Sequence, residues 1–219
     1  MSADPAVDGR LARGDRTRTA VLDMAMRLAT EAGLDGLSLG QLADTLQVSK
    51  SGLFAHWRSK EELQLATIEH AREQWVRQVI APALAETRGV RRLWALHQCR
   101  LDFYVAGTLP GGCFFANTEF EFNARPGVLR DRLATAFLDW MGLIERLVVE
   151  SVEAGELVDT VDPRQLAYEI ESLGLTAVMQ ARLLTDVAYD LSRRAVLDRL
   201  RALCTDPALL PTTISKDPS

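Results

Sequence analysis

The run TLQVSKSGLFAHWRSKEEL, residues 45–63, gathers hydroxyl, amide and cationic groups into one short stretch of a chain whose formal net charge is −5. Ser49, Lys50, Ser51 and Gly52 stand at the start of a short predicted helix, and His56, Arg58 and Lys60 fall at its end and just beyond. An acidic protein needs no such cluster for solubility, so the chemistry it suggests is recognition of something negative. Helix N-termini carry free amides and a partial positive charge. The predicted caps at Ser38, Ser49 and Ser59 can each offer a hydroxyl and an amide to a phosphate oxygen, and His56 and Lys60 add side-chain donors. Reading of base edges falls to the outward residues of the short helix. Lys50 can donate to guanine O6 and N7, Ser51 to several edges, and the Phe54 ring can pack on a thymine methyl. Gly52 weakens a helix by up to about 1 kcal/mol relative to Ala, which makes sense where another backbone must come very close.

These groups need a frame, and the hydrophobic pattern supplies one. Val21, Leu22, Ala25, Leu28, Ala29 and Ala32 line a first helix, about 16–32, that Gly33 ends. Ser38 caps a short helix whose apolar residues are Leu39, Leu42, Ala43 and Leu46, and Ser49 caps a second, about 50–56, after the tight turn Leu46–Ser49. Two short helices braced by a third make a helix-turn-helix, with Val48 and Leu53 pinning the second helix from its inner face. Ser59 and Glu62 predict a capping box at the head of a long helix, about 60–86. Further helices follow at about 90–106 and 114–122, from Pro126 to Ala154, from Asp162–Pro163 to Leu184, and at about 188–204. The expectation is an all-α fold of about nine helices: an N-terminal three-helix helix-turn-helix domain plus a C-terminal helical bundle. Its divisions are a flexible arm at 1–14, a DNA-binding domain at 15–62, a ligand-binding and dimerisation domain at 63–205 and a flexible tail at 206–219.

Composition sets limits on partners. With 219 residues and 47% apolar content the chain can bury a proper core, and no apolar run reaches the length needed to cross a bilayer. A cytoplasmic protein with no membrane partner is expected. Cys99, Cys113 and Cys204 are scattered, which predicts buried thiols rather than a disulfide framework or zinc site, although Cys113 in a glycine-rich loop is a candidate redox sensor. Residues 1–60 are close to neutral, with eight basic residues against seven acidic ones, so the acidic excess sits in the remainder. That distribution leaves room for nucleic acid while arguing against indiscriminate coating of DNA. Arg10, Arg13, Arg16 and Arg18 lie ahead of the first helix or at its start, as a minor-groove or phosphate-reaching arm or as a solvated tail.

The segments TRTAVLDMAMRLATEAG (17–33) and LSLGQLADTLQVSKSGLFAHWRSKEELQLA (37–66) resemble the DNA-binding domain of the tetracycline-repressor (TetR) family of transcriptional regulators. Phe54 stands where the family usually has a tyrosine that touches the DNA backbone, and Trp57 replaces a phenylalanine with a core role. The resemblance implies a homodimer that binds a double-stranded DNA operator, an effector-binding C-terminal domain and repression. DNA-binding residues are therefore expected at Ser38, Ser49, Lys50, Ser51, Gly52, Phe54, His56 and Lys60.

Aromatic residues crowd around the break GTLPGG at 107–112. An apolar cavity with a few polar groups is what a small-molecule site looks like. With the family resemblance, this places an effector pocket at Trp75, Phe103, Tyr104, Phe115, Asn117, Glu119, Phe137, Trp140 and Met141, for a small and largely apolar effector. The last two helices carry Leu166, Ile170, Leu173, Ala177, Ala181 and Leu184, then Val196 and Leu200, with Gly174 among the small residues that would admit a partner helix. In relatives this pair forms a four-helix bundle with its copy, and the same interface is expected here. Two-fold symmetry predicts reading helices one DNA turn, about 34–36 Å, or a multiple of it apart on a palindromic operator. An activator or a ligand-independent DNA binder of the same fold is the alternative within regulation. An all-helical enzyme lacks any phosphate loop, nucleophile elbow or metal-spaced pair in this sequence. A metal sensor built on His97, Cys99 and Cys113 is a minor alternative, and the expectation is no catalytic residue, no metal and no cofactor.

Overall fold

The computed structural model describes residues 5–214, with the side chains of residues 5–15 and of Ala55 left aside. Residues 1–4 of the expected arm and 215–219 of the expected tail lie outside the described residues. The elements are α1 (Pro5–Ala32), α2 (Leu39–Leu46), α3 (Lys50–His56), α4 (Lys60–Trp75), α5 (Ala81–Ala85), α6 (Val90–Val105), α7 (Phe114–Phe122), α8 (Val128–Glu153), α9 (Pro163–Leu183) and α10 (Val187–Leu203). A π-helical turn, Val76–Ile80, joins α4 to α5 without a break, so the described residues form nine separate rods. Among them the β-structure amounts to one isolated bridge, Leu157 to Cys204. No helix among them is long and apolar enough to cross a membrane.

Local chemistry places most helix ends. Ser38 Oγ accepts from the Gln41 amide and Ser49 Oγ from the Gly52 amide, so each fills a free donor of the first turn. Asp162 Oδ1 does the same for Arg164 and Gln165 ahead of Pro163. Gly33, at φ +85°, closes α1. At the head of α4 the Glu62 amide donates to Ser59 Oγ, but the Glu62 carboxylate takes the Arg58 amide rather than that of Ser59. Three expectations shift. Helix α1 already runs from Pro5, which puts residues 5–14 of the expected arm on a helix. The long eighth helix begins at Val128, two residues after Pro126. Beyond Cys204 the chain packs rather than trailing away: Leu210 is buried, Arg91 donates to the Leu209 carbonyl and Arg201 to that of Pro211.

The chain forms two compact units, Met1–Arg72 with Phe114–Leu133 and Glu73–Cys113 with Ala134–Ser219. This grouping differs from a single cut at 62/63 because α7 packs against α1. Within the first unit, Val21, Ala25 and Met26 of α1, Leu42 and Ala43 of α2, and Leu53 with Trp57 form the buried centre beneath the two short helices. Gln64 donates from below to the Leu34 carbonyl at 2.9 Å, and His70 Nε2 meets Asp23 Oδ1 at 2.6 Å. Within the second unit, α6, α9 and α10 pack together around Leu93, Leu96, Ile170, Val196 and Leu200.

Candidate nucleic-acid interface

Helix α3 is amphipathic in the sense its sequence required. Leu53 and Trp57 are each 1% exposed and hold it to the unit's core, while Lys50, Ser51 and Gly52 are exposed and Phe54 is 52% exposed. A duplex laid on that outer face would cover the half of the Phe54 ring that is in water. Ser38 and Ser49 are exposed at the two caps, and His56 is half-buried with its ring 5.5 Å from that of Trp57. The eight expected DNA-contacting residues therefore all belong to one compact unit. Gln47, at φ 55°, makes the left-handed turn between α2 and α3 and donates to α2 carbonyls. Trp57 fills its place entirely and carries the Arg18 guanidinium over its ring at 5.4 Å, so Arg18 belongs to α1 and the core edge rather than to a free arm. The side chains of Arg10 and Arg13 lie outside the described residues.

Two glycines explain the local geometry. A Cβ at Gly40 would lie 3.6 Å from Lys50 Nζ, which places the ammonium over α2. A Cβ at Gly52 would come 2.9 Å from Ser49 Oγ, the atom that caps α3. Gly52 thus protects its own cap, a reason visible in the structure beside the expected close approach of a DNA backbone.

Lys60 does not stand free. Its ammonium donates to the Asp35 carbonyl and, at 3.0 Å, to Asp35 Oδ1. Arg125 Nη1 reaches Asp35 Oδ2 at 3.1 Å, and the Lys60 hydrogen bond first, with the charges of Lys60 and Arg125, holds the Asp35 carboxyl below its usual range. Glu121 accepts the Leu34 and Asp35 amides at 2.7 and 2.9 Å. Sequence reasoning missed Asp35, Glu121 and Arg125, since nothing local links residues some ninety positions apart.

The expected effector-pocket residues divide. Asn117 donates to the Thr30 carbonyl at 3.0 Å, so its amide braces α7 on α1 in the first unit, where Phe115 and Glu119 also lie, both half-buried. In the second unit Trp75 touches Phe103 and Trp140 edge-on, each at 5.5 Å between centroids, and Tyr104 at 6.0 Å. These rings fill space against one another, with Phe137 and Met141 half-buried on the same helix as Trp140. An open groove of about 370 Å³ runs along Gln78, Cys99, Asp102, Phe103, Ala106 and Thr108, so Phe103 lines it and Gln78 comes from the π turn. Cys113 is 5% exposed, which removes the exposure a redox sensor needs. Burial, and then the Asp102 charge, raises the Cys99 thiol above its ordinary value.

Behind the rings lies a buried polar centre that the sequence did not announce. Arg100, 2% exposed, donates to Glu171 Oε2 at 2.5 Å and to the Ile170 carbonyl at 2.8 Å, and the Trp140 indole donates to the same Glu171 oxygen at 2.6 Å. His97 Nε2 lies 3.2 Å from Ser192 Oγ, and burial holds the imidazole well below its ordinary pKa. Gly174 was expected to admit a partner helix, but a Cβ there would sit 1.5 Å from Arg100 Nη2, so it makes room for the arginine. The expected dimer seam needs a similar correction. Leu166, Ile170, Ala177, Val196 and Leu200 are each 3% exposed or less inside one protomer and have no surface to offer a second. Leu173 and Ala181 are half-buried, and Leu184 is 79% exposed. The apolar surface of α9 and α10 and their connection is carried by Tyr168, Met179, Leu183, Leu184, Val187 and Leu191.

A braced helix-turn-helix with an outward second helix, followed by an all-helical unit, is the architecture of a DNA-binding domain joined to a helical body. Residues 21–67 match the profile of bacterial regulatory proteins of the tetR family, and residues 89–196 match that of the tetracyclin repressor-like C-terminal domain. The chain belongs to the tetracycline-repressor family of transcriptional regulators. A comparison with curated protein sequences gives no match. Among solved structures, the chain is similar to a TetR transcriptional regulator from Chloroflexus aurantiacus J-10-FL, with 25% identity over 88% of this chain and 98% of that one and a TM-score of 0.81. A regulator from Saccharomonospora viridis in complex with choline shares the fold at 19% identity, covering 88% and 100% of the two chains with a TM-score of 0.74. AibR, in complex with isovaleryl coenzyme A and operator DNA, shares it at 22% identity, covering 81% and 96% with a TM-score of 0.62.

Proposed function

We propose that this protein is a ligand-responsive homodimeric repressor that reads a palindromic operator through α3. The observation that carries the reading is the outer face of α3, where Lys50, Ser51, Gly52 and a 52%-exposed Phe54 are presented by a helix whose other face is sealed by Leu53 and Trp57. Lys50 and Ser51 supply base-edge donors and Phe54 a methyl contact. The Ser38 and Ser49 caps, with His56 and Lys60, fix the register on phosphates. The exposed apolar side chains of α9, α10 and their connection support a second copy as the partner of that surface, since six such residues on one stretch of the chain cost solubility unless covered.

The effector half of the reading rests on the open groove beside Phe103 and on the relatives bound to choline and to isovaleryl coenzyme A. An effector lowers operator affinity only to the extent that it binds the DNA-free arrangement more tightly. The test is a gel shift with the full-length protein against duplexes selected from random sequence. The reading expects a two-fold symmetric site bound by a dimer and released by a small molecule. Recovery of no palindrome bound better than random duplex in moderate salt would end it, and transcription rising with occupancy would turn repressor into activator.

A further inference from the structure

We propose that Glu121, far outside the helix-turn-helix sequence, is a positioning residue for DNA binding: it fixes the α1–α2 turn and, through Asp35, presets the Lys60 ammonium for phosphate. The inference rests on the reading of Lys60 as a phosphate contact.

The geometry is a relay of four charged side chains within the first unit. Helix α1 stops at Ala32, and in the turn that follows the Gly33, Gly36 and Leu37 amides have backbone acceptors while those of Leu34 and Asp35 turn to a side chain. The Glu121 carboxylate takes both, Leu34 through Oε2 at 2.7 Å and Asp35 through Oε1 at 2.9 Å. Gly33 gives it room, since a Cβ there would lie 3.0 Å from Oε1 in a backbone conformation that already favours glycine. The turn held in this way presents Asp35, whose carbonyl and Oδ1 accept from Lys60 Nζ while Oδ2 accepts from Arg125.

Two of the three Lys60 donors therefore serve Asp35, and the side chain is still 47% exposed, with one donor left for a ligand. A free lysine surrenders much rotamer freedom when it grips a phosphate, and a lysine already anchored surrenders less. Arg125 balances the Asp35 charge from the other side, so the anchor does not leave a net repulsion in front of the DNA. The turn keeps a second support without Glu121, because the Leu34 side chain is fully buried and its carbonyl accepts from Gln64. Glu121 is thus better suited to setting the position of Lys60 than to holding the fold.

Simple electrostatics and positioning predict opposite signs. Removing an acidic charge near a DNA-binding face should tighten binding, whereas losing the preset lysine should weaken it. The experiment measures affinity of the full-length protein for a selected duplex by fluorescence anisotropy across a salt series, for wild type, Lys60→Ala, Glu121→Gln and the double variant. Glutamine offers one acceptor where two amides need one each. The expected result is a loss of about five- to ten-fold for Glu121→Gln, a log–log salt slope reduced by about one unit as in Lys60→Ala, and a double variant no weaker than Lys60→Ala. Tighter or unchanged binding by Glu121→Gln, or losses that multiply in the double variant, would overturn the proposal while leaving the phosphate role of Lys60 intact. An inert Lys60→Ala would remove that role and the proposal with it. Should Glu121→Gln melt early by circular dichroism, Asp35→Ala leaves the turn amides capped by Glu121 and removes the side-chain half of the lysine's anchor, with only the backbone carbonyl remaining. It should show the same reduced slope, and tighter binding there overturns the proposal equally.

Discussion

Gly174→Ala is a one-methyl change in the middle of α9 whose outcome the buried polar centre determines. On an exposed helix the substitution would stabilise by up to about 1 kcal/mol. Here the new Cβ would fall 1.5 Å from Nη2 and 2.0 Å from Cζ of Arg100, whose guanidinium is 2% exposed and tied to Glu171 and to the Ile170 carbonyl. Either the arginine leaves Glu171 or the helices part. Breaking a buried ion pair costs about 3–5 kcal/mol, so after the propensity gain the expected net loss is about 2–4 kcal/mol. With a urea slope of about 2–3 kcal/mol/M, that is a midpoint lower by about 1 M. Tryptophan fluorescence is the natural probe, because the Trp140 indole donates to Glu171 and its ring lies 5.6 Å from the Arg100 guanidinium carbon. Arg100→Met should destabilise wild type substantially but add little to Gly174→Ala, since both remove the same interaction. A Gly174→Ala protein as stable as its parent, or two penalties that simply add, would refute the account of why that glycine is there.

Lys50→Ala should weaken binding to the selected duplex more than to random duplex, as read by competition in the gel shift; equal losses would make Lys50 a phosphate contact. Phe54→Tyr, at a ring 52% exposed, should change stability by less than about 0.5 kcal/mol and leave DNA binding intact or tighter, checked by urea melts and anisotropy. Gly52→Ala should cost DNA affinity while stability moves by less than about 1 kcal/mol, because better helix propensity offsets crowding of the Ser49 cap; unimpaired DNA binding would show that no close approach occurs there. His97 should make the protein acid-sensitive. Burial, then the charges of Arg100 and Arg193, holds the folded imidazole well below 6.5, so the unfolded chain binds the extra proton and the stability present above pH 6.5 is lost as pH falls below it. The slope approaches about 1.4 kcal/mol per pH unit, and the urea stability difference between pH 7.5 and 5.5 should be larger in wild type than in His97→Gln. The lowered carboxyls of Asp35, Glu150 and Glu169 act only below their ordinary values of 3.8 to 4.5, outside that window.

The reading head was legible in the sequence because its determinants are local. Caps at Ser38, Ser49 and Ser59, the stop at Gly33, and the spacing of Leu39, Leu42, Ala43 and Leu53 all act within a few residues of themselves, and each did what its chemistry requires. The last two helices show the limit. Periodicity says that α9 and α10 have apolar faces, but these helices are apolar on more than one side, and five of the eight residues expected to meet a second copy, Leu166, Ile170, Ala177, Val196 and Leu200, fill the protomer instead. Asn117, placed in a pocket by its aromatic neighbours, is spent on the Thr30 carbonyl. The pairings that give the site its character, Glu121 with the α1–α2 turn and Arg100 with Glu171 over Gly174, join residues 70 to 90 positions apart. A hydrogen bond of that kind depends on where whole helices place their side chains in space. The chain order alone decided which helices exist and where most of them begin, the starts of α1 and α8 excepted. Tertiary packing decided which of their faces, and which distant charges, belong to each other.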